Sequence, residues 1–280
     1  MRSPIALKAS LAAGIALLGA SACAGNSRQQ ELAYIERPVE TIYNDAVRSL
    51  DRSMWALAAA QFDEVQRQHP YSPWAQRGML MAAYARYRAR DFEEAIGSAE
   101  EYISLHPGGD GAPYAYYLIA VCHFDQIIDV GRDQARSYNA LRTLNEVIAR
   151  FPNSDYARDA ELKVDMVQDQ LAGKEMEVGR YYLTRSEHLA AINRFKRVIT
   201  DYQTTSHVPE ALHRLVEAYL SIGLTGQAQQ TAAVLGHNYP GSDWYADSYA
   251  LMQGQGVSLP EKPDAKAGFN MFERLGRMFF

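Results

Sequence analysis

One spacing recurs along this chain and limits it to few folds. Ala58, Phe62, Val65 and Pro70 stand at steps of 0, 4, 7 and 12. The same steps carry Ala95, Ala99, Tyr102 and Pro107, then Ala140, Leu144, Val147 and Pro152, then Ala228, Ala232, Leu235 and Pro240. A fifth copy, Ala191, Phe195 and Val198, has Gln203 in place of the proline. Steps of 4 and 7 put three residues on one face of an α-helix, and a small first residue admits a closely packed neighbour. The proline five residues beyond the last apolar position stops the helix. Each copy follows another amphipathic stretch, such as Met79-Leu80-Ala83-Tyr84-Tyr87 or Leu212-Leu215-Val216-Tyr219. Two such helices make a hairpin whose apolar face is buried only when hairpins stack.

The order Ala, large apolar, apolar, Pro resembles the tetratricopeptide repeat, whose unit is about 34 residues. The expected fold class is therefore all-α, an α-solenoid of about five tetratricopeptide (TPR) helical hairpins over residues 37–253. The repeat-ending positions are 37, 45, 51 and 37 residues apart, so the third and fourth units carry extra residues. In the third, the excess falls near Asp125 to Gln134. In the fourth it lengthens the first helix, which the pattern extends from about Tyr156 to Thr184, with Gly173 a candidate bend. A helix of that length is expected to project and offer a surface to a partner. Beyond Pro240, Ser242 to Met252 reads as a capping helix, and residues 254–268, with Pro260 and Pro263, as a linker. Residues 269–280 read as an amphipathic C-terminal helix with Met271, Phe272, Leu275, Met278 and Phe279 on one face. Such a face needs a cover, either a docking partner or membrane surface, or the solenoid itself.

The N-terminus reads as a secretory signal over residues 1–22. Arg2 and Lys8 precede the apolar run Leu11 to Ala20, and that run is too short to span a bilayer, which takes about 20 residues. Cys23 follows Ala20-Ser21-Ala22 directly, as in the lipobox of bacterial lipoproteins. Ala20 stands where that motif has Leu, and the same three residues suit ordinary signal peptidase. The rarity of cysteine in the chain favours lipidation at Cys23, with residues 23–36 a lipidated linker. Ala24 after the cysteine then implies sorting to the outer membrane. Without residues 1–22 the chain holds 26 basic and 33 acidic residues. A surface of that charge does not cling to anionic lipid or nucleic acid, so attachment to a membrane would rest on acyl chains. Cys122, in the apolar stretch around Ile119, Val121 and Phe124, reads as a buried small hydrophobe.

No catalytic constellation emerges. The chain has no G-x-S-x-G, Gly-rich phosphate loop, H-E-x-x-H or C-x-x-C. Its seven histidines are scattered, so no metal and no cofactor is expected, and no enzyme activity. Tyrosine is the informative residue, with eighteen copies, many in first helices: Tyr84, Tyr87, Tyr114, Tyr116, Tyr117, Tyr181 and Tyr182. Packing accounts for such residues one by one. Together they also suit peptide capture, since each pairs contact area with a hydroxyl.

Several segments carry a more specific resemblance. These are Arg37-Pro38, Ile42-Tyr43, His69-Pro70-Tyr71-Ser72-Pro73-Trp74-Ala75, Tyr102-Ile103-Ser104-Leu105-His106-Pro107, Phe151-Pro152-Asn153-Ser154-Asp155-Tyr156, Glu177 to Arg185 and Ala191-Ile192-Asn193-Arg194. Over roughly residues 37–240 the chain is similar to the BamD family, the tetratricopeptide lipoproteins of the outer-membrane β-barrel assembly machinery. The resemblance implies a lipid-anchored scaffold on the periplasmic face of the outer membrane. Its implied partners are a BamA-like β-barrel insertase, other Bam lipoproteins, and targeting segments of unfolded outer-membrane β-barrel proteins. The family's Asn-Arg pair in the fourth repeat falls on Asn193-Arg194, so the insertase is expected there. Substrate is associated with the first repeats, where Tyr71, Trp74, Tyr84 and Tyr87 are the expected groove for an extended, aromatic-ended peptide. The lipobox Ala20 and the Phe-rich tail depart from the family pattern. The rival reading is a periplasmic repeat adaptor of cell-division, Tol or peptidoglycan machinery, although residues 24–36 are too short for the coiled coil such adaptors carry first.

Overall fold

Every repeat ends in the same way. The second helices stop at Gln68, Leu105, Arg150, Asp201 and Asn238, and the position expected to hold proline lies two residues beyond each. The residue between leaves helical geometry while its N–H still bonds the carbonyl four residues back, as His69 does to Val65 and Tyr239 to Leu235. Proline enforces this by excluding helical geometry from the residue before it. At Gln203 no proline acts, yet Tyr202 adopts a φ of −131°, close to the −132° of His69. Tyr202 is buried against the core, and that burial does locally what the imide ring does elsewhere.

In this computed structural model residues 36–127 and 134–258 are described. They form eleven helices: α1 Val39–Asp51, α2 Trp55–Gln68, α3 Pro73–Arg88, α4 Phe92–Leu105, α5 Ala112–Asp125, α6 Gln134–Arg150, α7 Asp155–Thr184, α8 His188–Asp201, α9 Val208–Ser221, α10 Thr225–Asn238 and α11 Asp243–Gly254. The signal, Cys23, most of residues 254–268 and the tail 269–280 lie outside the described residues, as do residues 128–133 of the third repeat's expected excess. Each helix packs on the next, and α1, α3, α5, α7 and α9 also touch in succession. The result is five stacked hairpins and a terminal helix. Ser72, Ser154 and Ser242 cap first helices by accepting from the N–H groups of Trp74, Ala157 and Trp244. Four hairpins turn through three residues, and the middle one takes positive φ: Ser53, Arg90, Ser186 and Gly223. Only the last is the residue that adopts this conformation without strain.

The five copies of the 0, 4, 7 pattern form the spine of the core. All of their residues, from Ala58, Phe62 and Val65 to Ala228, Ala232 and Leu235, are 2% exposed or less. Cys122 is fully buried as well, and burial pushes its thiol up to about 12, so it stays protonated and inert.

The fourth first helix, α7, runs unbroken for 30 residues, about 45 Å. Gly173 does not interrupt it; its bare Cα instead leaves room for His207. α8 is less than half as long, and on α7 Leu162 and Met166 remain 65% and 54% exposed.

The terminal helix α11 is fastened by a small buried cluster. Tyr245 lies against Gly236, where any Cβ would collide with its ring. His213 Nδ1 is 2.8 Å from Ser248 Oγ, and the His213 ring lies 5.3 Å from that of Trp244. Burial, and next Arg214, lower the pKa of His213 below the ordinary 6.5, against smaller opposing effects of Glu217, Asp247 and Glu210. The unfolded chain therefore takes the proton first, so the stability of the neutral cluster is fully present above about pH 6.5 and is lost as the pH falls from there through the lower folded-state pKa. Wild-type protein is expected to lose more melting temperature between pH 7 and pH 5 than His213→Gln, which cannot titrate. Equal losses in thermal melts of the two would show that His213 does not govern the acid sensitivity.

Candidate protein-binding surfaces

First helices that touch in succession expose a common surface, and on α3, α5 and α7 that surface carries tyrosine. Tyr84 and Tyr87 are neighbours on α3, with ring centroids 6.4 Å apart. On α5 and α7, Tyr114 and Tyr117 lie 5.8 and 5.1 Å from Tyr156. The hydroxyls have fixed partners. Tyr87 donates to Asp125 at 2.7 Å, Tyr117 donates to Asp159 at 2.5 Å, and Arg88 donates to the Tyr84 hydroxyl at 2.7 Å. Burial, followed by these carboxylates, raises the pKa of Tyr87 and Tyr117, so both remain donors. Burial disfavours the Asp159 carboxylate, but hydrogen bonds from Lys163 and Tyr117 outweigh it and leave its pKa lowered.

The four residues expected to form a groove do not form one pocket. Tyr71 is fully exposed in the turn before α3, and Trp74 sits in the first turn of that helix, with its ring 4.8 Å from Tyr43 of the first hairpin. Tyr84 and Tyr87 lie at the other end of α3. The thirteen residues from Trp74 to Tyr87 span about 20 Å of helix, the reach of roughly six extended residues. The structure thus offers two aromatic stations, and Tyr114, Tyr117 and Tyr156 continue the second one onto the next hairpins. Tyr116 departs from the group: it packs on Phe151 and under Arg150 instead.

A second constellation joins α7 to α8. Glu175 is only 3% exposed, and its two carboxylate oxygens accept hydrogen bonds from Arg194 and Arg197, each at 3.1 Å. Hydrogen bonding and attraction to Glu175 raise the pKa of Arg197 further. A buried carboxylate is tolerable only with such pairing. Arg194 and Arg197, with Tyr182, Ala190 and Asn193, line an open cleft of about 430 Å³. Asn193 is exposed, whereas Arg194 is only partly free, because one of its nitrogens is committed to Glu175. A guanidinium carries five N–H donors, so each arginine keeps donors for an incoming acceptor. The sequence reading named Asn193 and Arg194, which line this cleft, and passed over Glu175 and Arg197. The available signal was a glutamate on the buried stripe Leu171-Glu175-Gly179, where an acidic residue requires a partner. A second ion-paired chain links α7 to α9, with Arg180 on Glu210 at 2.9 Å and Glu210 on Arg214 at 3.5 Å.

Stacked hairpins that carry a tyrosine surface from α3 to α7 and a guanidinium-lined cleft where α7 meets α8 define a helical-repeat protein. The chain belongs to the YfiO family, described as outer membrane lipoprotein, whose model matches residues 35–252. Among its relatives, the outer membrane protein assembly factor BamD of Caulobacter vibrioides is 51% identical over 266 residues, covering 95% of this chain and 87% of that protein. The BamD proteins of Rickettsia prowazekii and of Neisseria meningitidis serogroup A are 43% and 32% identical, over 78% and 83% of this chain and 87% and 91% of theirs. No helix among the described residues is long and apolar enough to cross a membrane.

Proposed function

We propose that this protein is an outer membrane protein assembly factor, a scaffold subunit that helps insert β-barrel proteins and performs no reaction of its own. The observation that carries this reading is the 51% identity with a BamD protein over nearly the whole chain. The two surfaces give it a physical form. The aromatic stations of α3, Tyr71 with Trp74 and Tyr84 with Tyr87, suit an extended segment of an unfolded barrel protein, since aromatic side chains supply area at low entropic cost. The Asn193–Arg194 cleft suits the periplasmic part of a BamA-like insertase, with other Bam lipoproteins as neighbours. A diacylglycerol on the Cys23 thiol holds the chain on the periplasmic face of the outer membrane, since its two acyl chains anchor where one alone is marginal.

Pull-down of the tagged protein from detergent-solubilised outer membranes tests this. A stoichiometric β-barrel protein with periplasmic repeats is the expected companion, and Arg194→Gln should reduce its recovery. Recovery of only Tol or peptidoglycan-linked proteins would instead support the adaptor reading. For the substrate surface, Tyr84→Ala with Tyr87→Ala is expected to weaken binding of a peptide copying a barrel protein's last strand by roughly tenfold, the cost of losing an aromatic anchor. Fluorescence anisotropy reads this directly, and an unchanged Kd would remove these tyrosines from the site.

A further inference from the structure

Only half of α7 is covered by its hairpin partner. The residues of α7 that meet α8 follow one line: Gly179 takes the Phe195 ring, Met176 and Ala172 are fully buried, and Glu175 beside them holds Arg194 and Arg197. The cover ends where the chain turns from α8 into α9. There Thr204 donates to Gln168 at 3.3 Å, Ser206 donates to Asp169 at 2.9 Å, and His207 fills the room beside Gly173. The same line continues toward the N-terminus by steps of three and four, from Gln168 to Asp165 and Glu161, and both acids are exposed. Leu162 and Met166 border the line and are 65% and 54% exposed. The far side of this half is closed, with Ala160 and Val164 buried among Ala140, Leu144 and Val147 of α6.

The uncovered stretch has the length and the chemistry of a helix seat. Residues 155–168 are as many as the 14 of α8 and run for about 21 Å. On the covered half, α7 offers an acid among small and apolar residues. The helix that fits it, α8, brings Arg194 and Arg197 among the buried Ile192, Phe195 and Val198. The uncovered half offers acids again. Glu161 and Asp165 have no ion-pair partner among the described residues, and the nearby Arg158 is taken by Asp155. Unpaired carboxylates beside exposed apolar area suit a cation that brings apolar surface with it. They oppose anionic lipid, whose headgroups carry the same sign.

We propose that the first half of α7 seats a helix from a second protein, one that carries arginine or lysine among apolar residues and lies in line with α8. The seat residues Glu161, Leu162, Asp165 and Met166 belong neither to the tyrosine surface nor to the Asn193–Arg194 cleft, so both stay free when the seat is filled. Photocrosslinking in living cells tests this on the full chain, with p-benzoylphenylalanine in place of Leu162. The expected product is an adduct with a different protein, whose linked peptide, sequenced by mass spectrometry, is a basic, helix-forming segment with apolar residues. Glu161→Lys with Asp165→Lys is expected to cut the yield about tenfold or more, and the charge-keeping exchange Glu161→Asp with Asp165→Glu to preserve it. Both acids are exposed and unpaired, so neither pair of changes should move the melting temperature. No adduct, an adduct indifferent to the charge reversal, or one linked through an acidic segment would overturn the proposal. A link to a second copy, or one internal to a single chain, would overturn it equally, because the seat would then be filled by this protein itself.

Discussion

Alanine at both Arg194 and Arg197 is expected to cost about 3–5 kcal/mol of stability, far more than the sum of the two single changes. Each arginine is partly exposed, so its own ion pair is screened, and a single replacement is expected to cost about 1 kcal/mol or less. The asymmetry lies in Glu175. While one guanidinium remains, its buried carboxylate keeps a charged donor. With both gone, the charge is stranded in a site that is 3% exposed, and a stranded buried charge carries the larger penalty. Urea denaturation of wild type, both singles and the double variant measures the coupling, and Glu175→Gln placed in the double variant should restore most of the loss. Additive costs would mean that Glu175 finds water or another partner. The same geometry decides how the cleft is best probed. A charge reversal at Arg194 would set two acids against each other and disturb the helix pair, whereas Arg194→Gln leaves Arg197 on Glu175 and reports on the partner.

Phe195→Ala should be the most damaging single truncation in the second half of the repeat array. The ring is fully buried in the cluster shared by α7, α8 and α9, and emptying such a site costs about 3–5 kcal/mol. It also faces Gly179, where an added Cβ would strike the ring, so the two helices meet around a glycine that admits the phenyl group. Gly179→Ala should therefore destabilise too, by about 1–3 kcal/mol, despite the better helix propensity of alanine. In a stacked array each hairpin leans only on its neighbours, so the loss should stay local. Hydrogen exchange is expected to quicken in α8 and the second half of α7 while α1–α4 keep their protection. Uniform loss across all helices would show that the array unfolds as one unit.

The fold was readable because repetition multiplies a weak signal. One Ala-x3-Phe-x2-Val is compatible with many helices, but five copies leave little room for another architecture, and their residues form the spine of the core. The extent of α7, a helix from about Ser242 to Met252 and the burial of Cys122 were equally legible, since each depends on local pattern. The candidate surfaces were legible only in part. Tyr84 and Tyr87 do lie side by side, whereas Tyr71 and Trp74 stand about 20 Å away along α3. Tyr116 resembles its neighbours in sequence and faces elsewhere, because one helical step turns a side chain by about 100°.

Among the described residues the sequence by itself determined which segments are helices, where most of them stop and that they stack, because helix periodicity and helix breakers act over a few residues. It also carried the family, through segments such as His69 to Ala75. Tertiary structure alone decided which charges meet. Glu175 and Arg197 stand 22 positions apart on different helices, and no local pattern pairs them. It decided too that Tyr202 ends a helix without a proline and that Leu162 and Met166 of α7 stay exposed among the described residues. These outcomes depend on what lies across an interface, and a single chain read in order does not show what packing brings alongside.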